Sequence, residues 1–252
     1  MMTPTKMGMN RTGIQTSPVD AKKMEQGAEQ LTPVEGMPQD GAGIRTRMLF
    51  AKQAEPIGTV PPPVSMKGAA KTALQALKGN KPNVFLDYLG ARLAFERTGT
   101  RLYDAILIKF ESEGGWDGGP TAEELRQIRE EELQHFEMLR ECMQDLGADP
   151  TAMTPAADVA AVAAEGVMKV VVDSRMSLAQ SMEGILIAEL ADHDGWDMLV
   201  ALADSMGKTD FSERFRQALA EEDRHLMLVR GWLSRRIEAE ATRTLEPVQP
   251  VS

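Results

Sequence analysis

The chain has 252 residues, 42% of them hydrophobic and 26% charged, with a formal net charge of −10. That balance suits a globular protein and argues against a sequence-independent nucleic-acid binder, which needs clustered Lys and Arg. Cys142 is the lone cysteine, so an intrachain disulfide and a CxxC metal pair are both excluded. With no apolar leader at the start and no apolar run of about 18 residues, a cytoplasmic location without a membrane partner is expected.

Residues 1–68 differ in composition from the rest. They hold eight of the 14 prolines, eight of the 17 methionines and one aromatic, Phe50. "TVPPPVSM" breaks any regular element, and so little apolar surface predicts a mostly disordered arm with short helical turns near 19–30 and 44–54. "MNRTGIQTSP" is either a solvated tail or a motif by which the arm docks a partner. The second unit is taken as 69–240, and from Asn83 onward its pattern is helical. A first long helix is predicted over 83–112, stopped by the glycines of "EGGWDGGP". A second spans 121–146, with Thr121 as N-cap and Glu124 three residues on. The connection after Gly147 is long and predicts a short helix over 156–169. A third long helix covers 176–205, "SMGKTD" turns the chain, and a fourth covers 210–240 before a loose tail, 241–252. Two short connections and one long one predict an all-α fold, an antiparallel four-helix bundle with a single crossover.

Two stretches share one pattern. "REEELQHFEMLR" places Glu132 and His135 one turn apart, and "AEEDRHLMLVR" does the same with Glu222 and His225. Each pair lies in an apolar stripe: Ile128, Leu139 and Cys142 around the first, Ala218, Val229 and Trp232 around the second. On the first helix Leu89, Leu93, Glu96, Thr100, Tyr103 and Leu107 share a face; on the third, Met182, Leu186, Glu189, His193, Trp196 and Val200 do. "AFERTGTRLYD" aligns with "IAELADHDGWD", Glu96 on Glu189 and Tyr103 on Trp196. Glu96 precedes Glu132 by 36 residues and Glu189 precedes Glu222 by 33, so the chain reads as a distant duplication. Its approximate two-fold axis brings Glu96, Glu132, His135, Glu189, Glu222 and His225 to the centre. Four buried carboxylates without partners would cost several kcal/mol each, against a total stability of about 5–15 kcal/mol. Two divalent ions of the Fe or Mn kind answer that charge with the ligands present.

One Glu, then ExxH, then one Glu, then ExxH on four helices resembles the ferritin-like di-iron carboxylate superfamily over about residues 83–240. The resemblance implies Glu96 and Glu189 as terminal ligands, Glu132 and Glu222 as bridges, and His135 and His225 as caps. It implies two Fe ions, with two Mn or a mixed pair as alternatives. The expected activity is of ferroxidase or oxidase type, with O₂ or peroxide and an external electron donor as partners. A homo-oligomer is expected by the same analogy.

Around that set, His193 is expected to hydrogen-bond a ligand, with a seventh ligand or a surface histidine as alternatives, and Asp192 invites the same question. Tyr103 is expected as a packed core residue or a hydrogen-bonding neighbour of the ions. Glu131 and Glu221 read as solvated or ligand-supporting carboxylates, Arg140 and Arg230 as ion-pair residues, and Cys142 as a small apolar filler. Alternative functions are hydroxylation of an organic substrate, with Gly90, Ala91, Ala94 and Gly99 leaving space for it; a manganese catalase; and iron storage or a packaged cargo addressed by the arm.

Overall fold

The computed structural model describes residues 13, 18–29, 42–54, 56–61, 68 and 82–242. Most of "MNRTGIQTSP", part of the proline run and the end of the chain after Thr242 lie outside the described residues. Among the described residues all regular structure is helical: α1 (Pro18–Glu29), α2 (Ala42–Gln53), α3 (Pro82–Glu113), α4 (Ala122–Asp145), α5 (Pro155–Val172), α6 (Leu178–Ser205) and α7 (Thr209–Thr242). None of them is long and apolar enough to cross a membrane.

The boundaries follow from local chemistry. Thr121 caps α4 in a reciprocal capping box with Glu124, and Ser177 and Gln180 repeat the device on α6. Thr154 caps α5, whose first turn begins with Pro155, where the missing N–H is no loss. Gly147 and Gly207 adopt positive φ, 78° and 63°. After each, the next amide returns to the helix, Ala148 N to Met143 O and Lys208 N to Ala203 O, both at 2.9 Å. This is the Schellman closure that only a left-handed residue permits, so Gly is required there.

Helices α1 and α2 pack on each other. The long helices close a ring of contacts, α3 on α4, α4 on α7, α7 on α6 and α6 on α3, while α5 lies across α3 and α6. Hydrogen bonds fix the directions. The Leu178 amide donates to Glu113 Oε2 at 2.8 Å, so α6 begins where α3 ends and runs back along it. α5 is pinned at both ends: the Ala156 amide donates to Asp87 Oδ1 at 2.8 Å, and Lys109 Nζ donates to the Asp173 carbonyl at 2.7 Å. It therefore runs parallel to α3 and carries the chain from one end of the ring to the other.

The interior has three layers. One apolar cluster gathers Phe85, Leu89, Leu139, Trp196 and Phe215. A second gathers Leu102, Ile106, Ile128, Met182 and Trp232. Between them in sequence along every long helix sit the buried charged residues: Glu96, Glu132, His135, Glu189, Asp192, Glu222 and His225. The arm touches this body at several described points, and Val60 packs against the first apolar cluster. Gly13 lies against Asp158 at the start of α5, and Gly68 lies against Gly147.

Candidate metal centre

Each long helix brings its acid to mid-length with apolar residues one turn either side, so burial of the stripe buries the charge too. The six side chains singled out by pattern converge. Ligand atoms of Glu132, Glu189, Glu222 and His225 all lie within 4.8 Å of one another, as do those of Glu96, His135 and Glu222. Glu222 spans the two groups. His135 Nδ1 is 3.0 Å from Glu222 Oε1 and 3.5 Å from Glu96 Oε2; His225 Nδ1 is 3.3 Å from Glu222 Oε2 and 3.7 Å from Glu132 Oε1.

These atoms are close without being aligned as hydrogen bonds. Both oxygens of Glu96 and Glu222, one each of Glu132 and Glu189, and Nδ1 of both histidines are buried with no hydrogen-bond partner. Native interiors rarely leave such atoms orphaned. A set of buried carboxylate and imidazole atoms this close together could hold a metal ion.

The opposite edge of each imidazole is engaged. His135 Nε2 lies 2.7 Å from Glu221, and His225 Nε2 lies 2.8 Å from Glu131. Each acid belongs to the other ExxH helix, so the pairs cross between α4 and α7. When the ring is neutral, a carboxylate here favours the tautomer with hydrogen on Nε2, which leaves the Nδ1 lone pair facing the centre. Arg224 in turn pairs with Glu131. Of the two readings left open for Glu131 and Glu221, solvated or supporting, the contacts with the imidazoles favour the second, and nothing in the sequence hints that each serves the other helix.

Two further groups belong to the layer. Tyr103, fully buried, donates its hydroxyl to Glu189 Oε1; it is both a core residue and a neighbour of the cluster. Asp192 is buried, and its ligand atom lies within 4.8 Å of those of Glu96, Glu132 and Glu222. Arg92, also buried, reaches Asp192 Oδ1 at 2.6 Å and stands 3.6 Å from Glu96 Oε1.

His193 is a correction. It does not touch the cluster: Nε2 lies 2.9 Å from Asp223 and Nδ1 3.3 Å from Asp194, and its side chain is 29% exposed. Residues three and four beyond Glu189 diverge by about 100° on a helix, and here the third, Asp192, points inward. The space expected beside the glycines is also taken. A Cβ at Gly99 would overlap the Glu132 carboxylate, and one at Gly90 would meet Thr154 Oγ1 at 2.6 Å. Arg140 pairs with Glu137 at 2.6 Å, and Cys142 is buried in the first apolar cluster, as expected.

Electrostatics describe a layer that wants positive charge. Burial, then the neighbouring carboxylates, lift Glu132 well above the carboxylate range. Burial likewise lifts Asp192, against the pull of Arg92. Burial and Glu222 push Glu189 up to about 8, opposed by His225 and Tyr103. Burial opposes the charged form of both histidines, yet the carboxylates crowded around them prevail: Glu221, Glu222 and Glu96 push His135 up to about 12, and Glu131 and Glu222 push His225 up to about 9. Glu222 itself, buried but held by both imidazoles, falls to about 2. Protons occupy the places where cations compensate the same charge.

Comparison with protein-family models, with curated proteins and with solved structures found no match for this chain.

Proposed function

We propose that this chain is a ferritin-like di-metal protein. In this reading α3, α4, α6 and α7 form an antiparallel four-helix bundle with α5 in its one long crossover, and the polar layer holds two divalent ions, iron in the first instance. The activity is oxidation of Fe(II), or reduction of O₂ or peroxide with electrons from an external donor. What carries the reading is the convergence of six side chains whose buried donor atoms lack hydrogen-bond partners and face one another. Charge supports it. With neutral imidazoles, Glu96, Glu132, Glu189, Glu222 and Asp192 less Arg92 leave four negative charges, which two divalent ions balance.

Glu96 and His135 would hold one ion, Glu189 and His225 the other, with Glu132 and Glu222 shared between them. Bound there, the pair of ions supplies one-electron redox chemistry and a binding place for O₂ or peroxide. The chain does the rest. Glu131 and Glu221 orient the imidazoles. Tyr103 keeps a proton on its hydroxyl against Glu189, burial first and the nearby carboxylates second raising its pKa. The two apolar clusters exclude water above and below the layer.

Protein stripped with a chelator, loaded anaerobically with Fe(II) and exposed to O₂ tests this. About two irons per chain, oxidised rapidly, is the expected result for a centre of this class. Uptake far beyond that stoichiometry would replace catalysis with storage, and manganese retained through purification with peroxide disproportionation would replace it with a catalase. Failure to bind any divalent ion would end the metal reading.

A further inference from the structure

The duplication that relates the α3–α4 and α6–α7 pairs is broken beside the centre. In the alignment that sets Glu96 on Glu189, Arg92 falls on Ile185 and Asp192 on Gly99. One half of the site therefore carries a buried ion pair where the other carries a side chain without charge and no side chain at all. The pair is built rather than accidental. Arg92 is 5% exposed and Asp192 2%. The guanidinium lies over the Phe95 ring at 4.6 Å and the Trp196 ring at 5.9 Å. Its Nη1 donates to the Asp192 carbonyl at 3.0 Å. It passes where any Cβ on Gly195 would overlap it. Nε and Nη2 are buried without an aligned hydrogen-bond partner and face Glu96 and Asp192.

A fixed cation so placed acts on only one ion position. It repels a divalent ion at Glu96 and His135, draws on the charge of Glu96, and occupies Asp192, whose ligand atom is near enough to join that ion. The other position has the neutral hydroxyl of Tyr103 on Glu189, and the cation on its side, Arg224, stands farther out, on Glu131 behind His225. We propose that Arg92 is an affinity-determining residue of the centre: an internal cation that competes with the divalent ion at the Glu96–His135 position and makes it the weaker of the two. This rests on the metal reading above.

Calorimetric titration of chelator-stripped full-length protein with Mn(II) alone tests it, and needs no activity. Wild type is expected to take up two ions in two resolved steps, the weaker absent in His135→Ala. Arg92→Gln should tighten the weaker step at least tenfold and move the tighter one less than threefold. Gly195→Ala, which crowds the guanidinium from its seat while keeping every polar group, should act in the same direction and decides the matter if Arg92→Gln does not fold. Two indistinguishable steps in wild type, or a weaker step unmoved or loosened in a folded variant, would overturn the inference while leaving the two-ion reading intact. No uptake by wild type would overturn both.

Discussion

The two halves of the polar layer share a ligand pattern and differ in what surrounds it. Glu96 with His135 sits beside a buried ion pair, Arg92 and Asp192; Glu189 with His225 sits beside a phenol, Tyr103. Each imidazole, by contrast, is braced alike, by an acid reaching across from the opposite helix. The lesson is that the ligand-bearing positions and their braces follow the duplication, while the groups that set the local charge do not.

The shared part breaks first under mutation. Replacing both Glu132 and Glu222 with Ala should abolish binding of both ions, measured by elemental analysis after loading; two ions per chain in that variant would contradict their bridging role. Separating the halves comes next. Glu221→Gln should weaken the ion held by His135, and Glu131→Gln the ion held by His225, each by about 10–100-fold, the usual cost of losing a carboxylate behind a metal-bound imidazole. Equal weakening of both steps in either variant would refute the crossed pairing.

A smaller effect comes from pH. In chelator-stripped protein, Glu189 is raised from 4.5 to about 8 and His225 from 6.5 to about 9, whereas His135 is raised to about 12. A raised group contributes stability that is complete below its unfolded pKa and disappears as pH climbs through its folded one. Between pH 6.5 and 9 the stripped protein should therefore lose stability, through Glu189 up to about 8, through His225 up to about 9 and through His135 across the whole window, with the raised Glu132 and Asp192 acting in the same direction. Glu222, lowered to about 2, gives way only on the acid side. Urea midpoints across that window should fall in wild type, fall less in Glu189→Gln, and hold steady once Mn(II) is bound.

Much of this was visible before any coordinates. The stripes Ile128–Glu132–His135–Leu139 and Ala218–Glu222–His225–Val229 are buried as periodicity requires, because a three-and-four spacing in a long helix has one apolar side and no choice of face. Thr121 and Glu124 announced a capping box that forms. On α3 and α6 the predicted stripe misses by one residue after each Glu. Gly99 and Asp192 turn inward in place of Thr100 and His193, since a ligand's third and fourth successors flank the same line and only packing selects between them. Arg92 was not legible at all. A long basic side chain ordinarily carries its charge to water, and nothing local says that Gly195, a hundred residues on, vacates room for it.

The crossover helix α5 has a bearing on traffic. It doubles the wall along α3 and α6, tied down at Asp87 and Lys109, whereas among the described residues no further helix packs over the seam between α4 and α7. The carboxylates standing in that seam, Glu131 and Glu221, are 16% and 31% open to water. Those two partly open acids, one of them paired with Arg224, touch the buried imidazoles directly and so join the innermost charges to water.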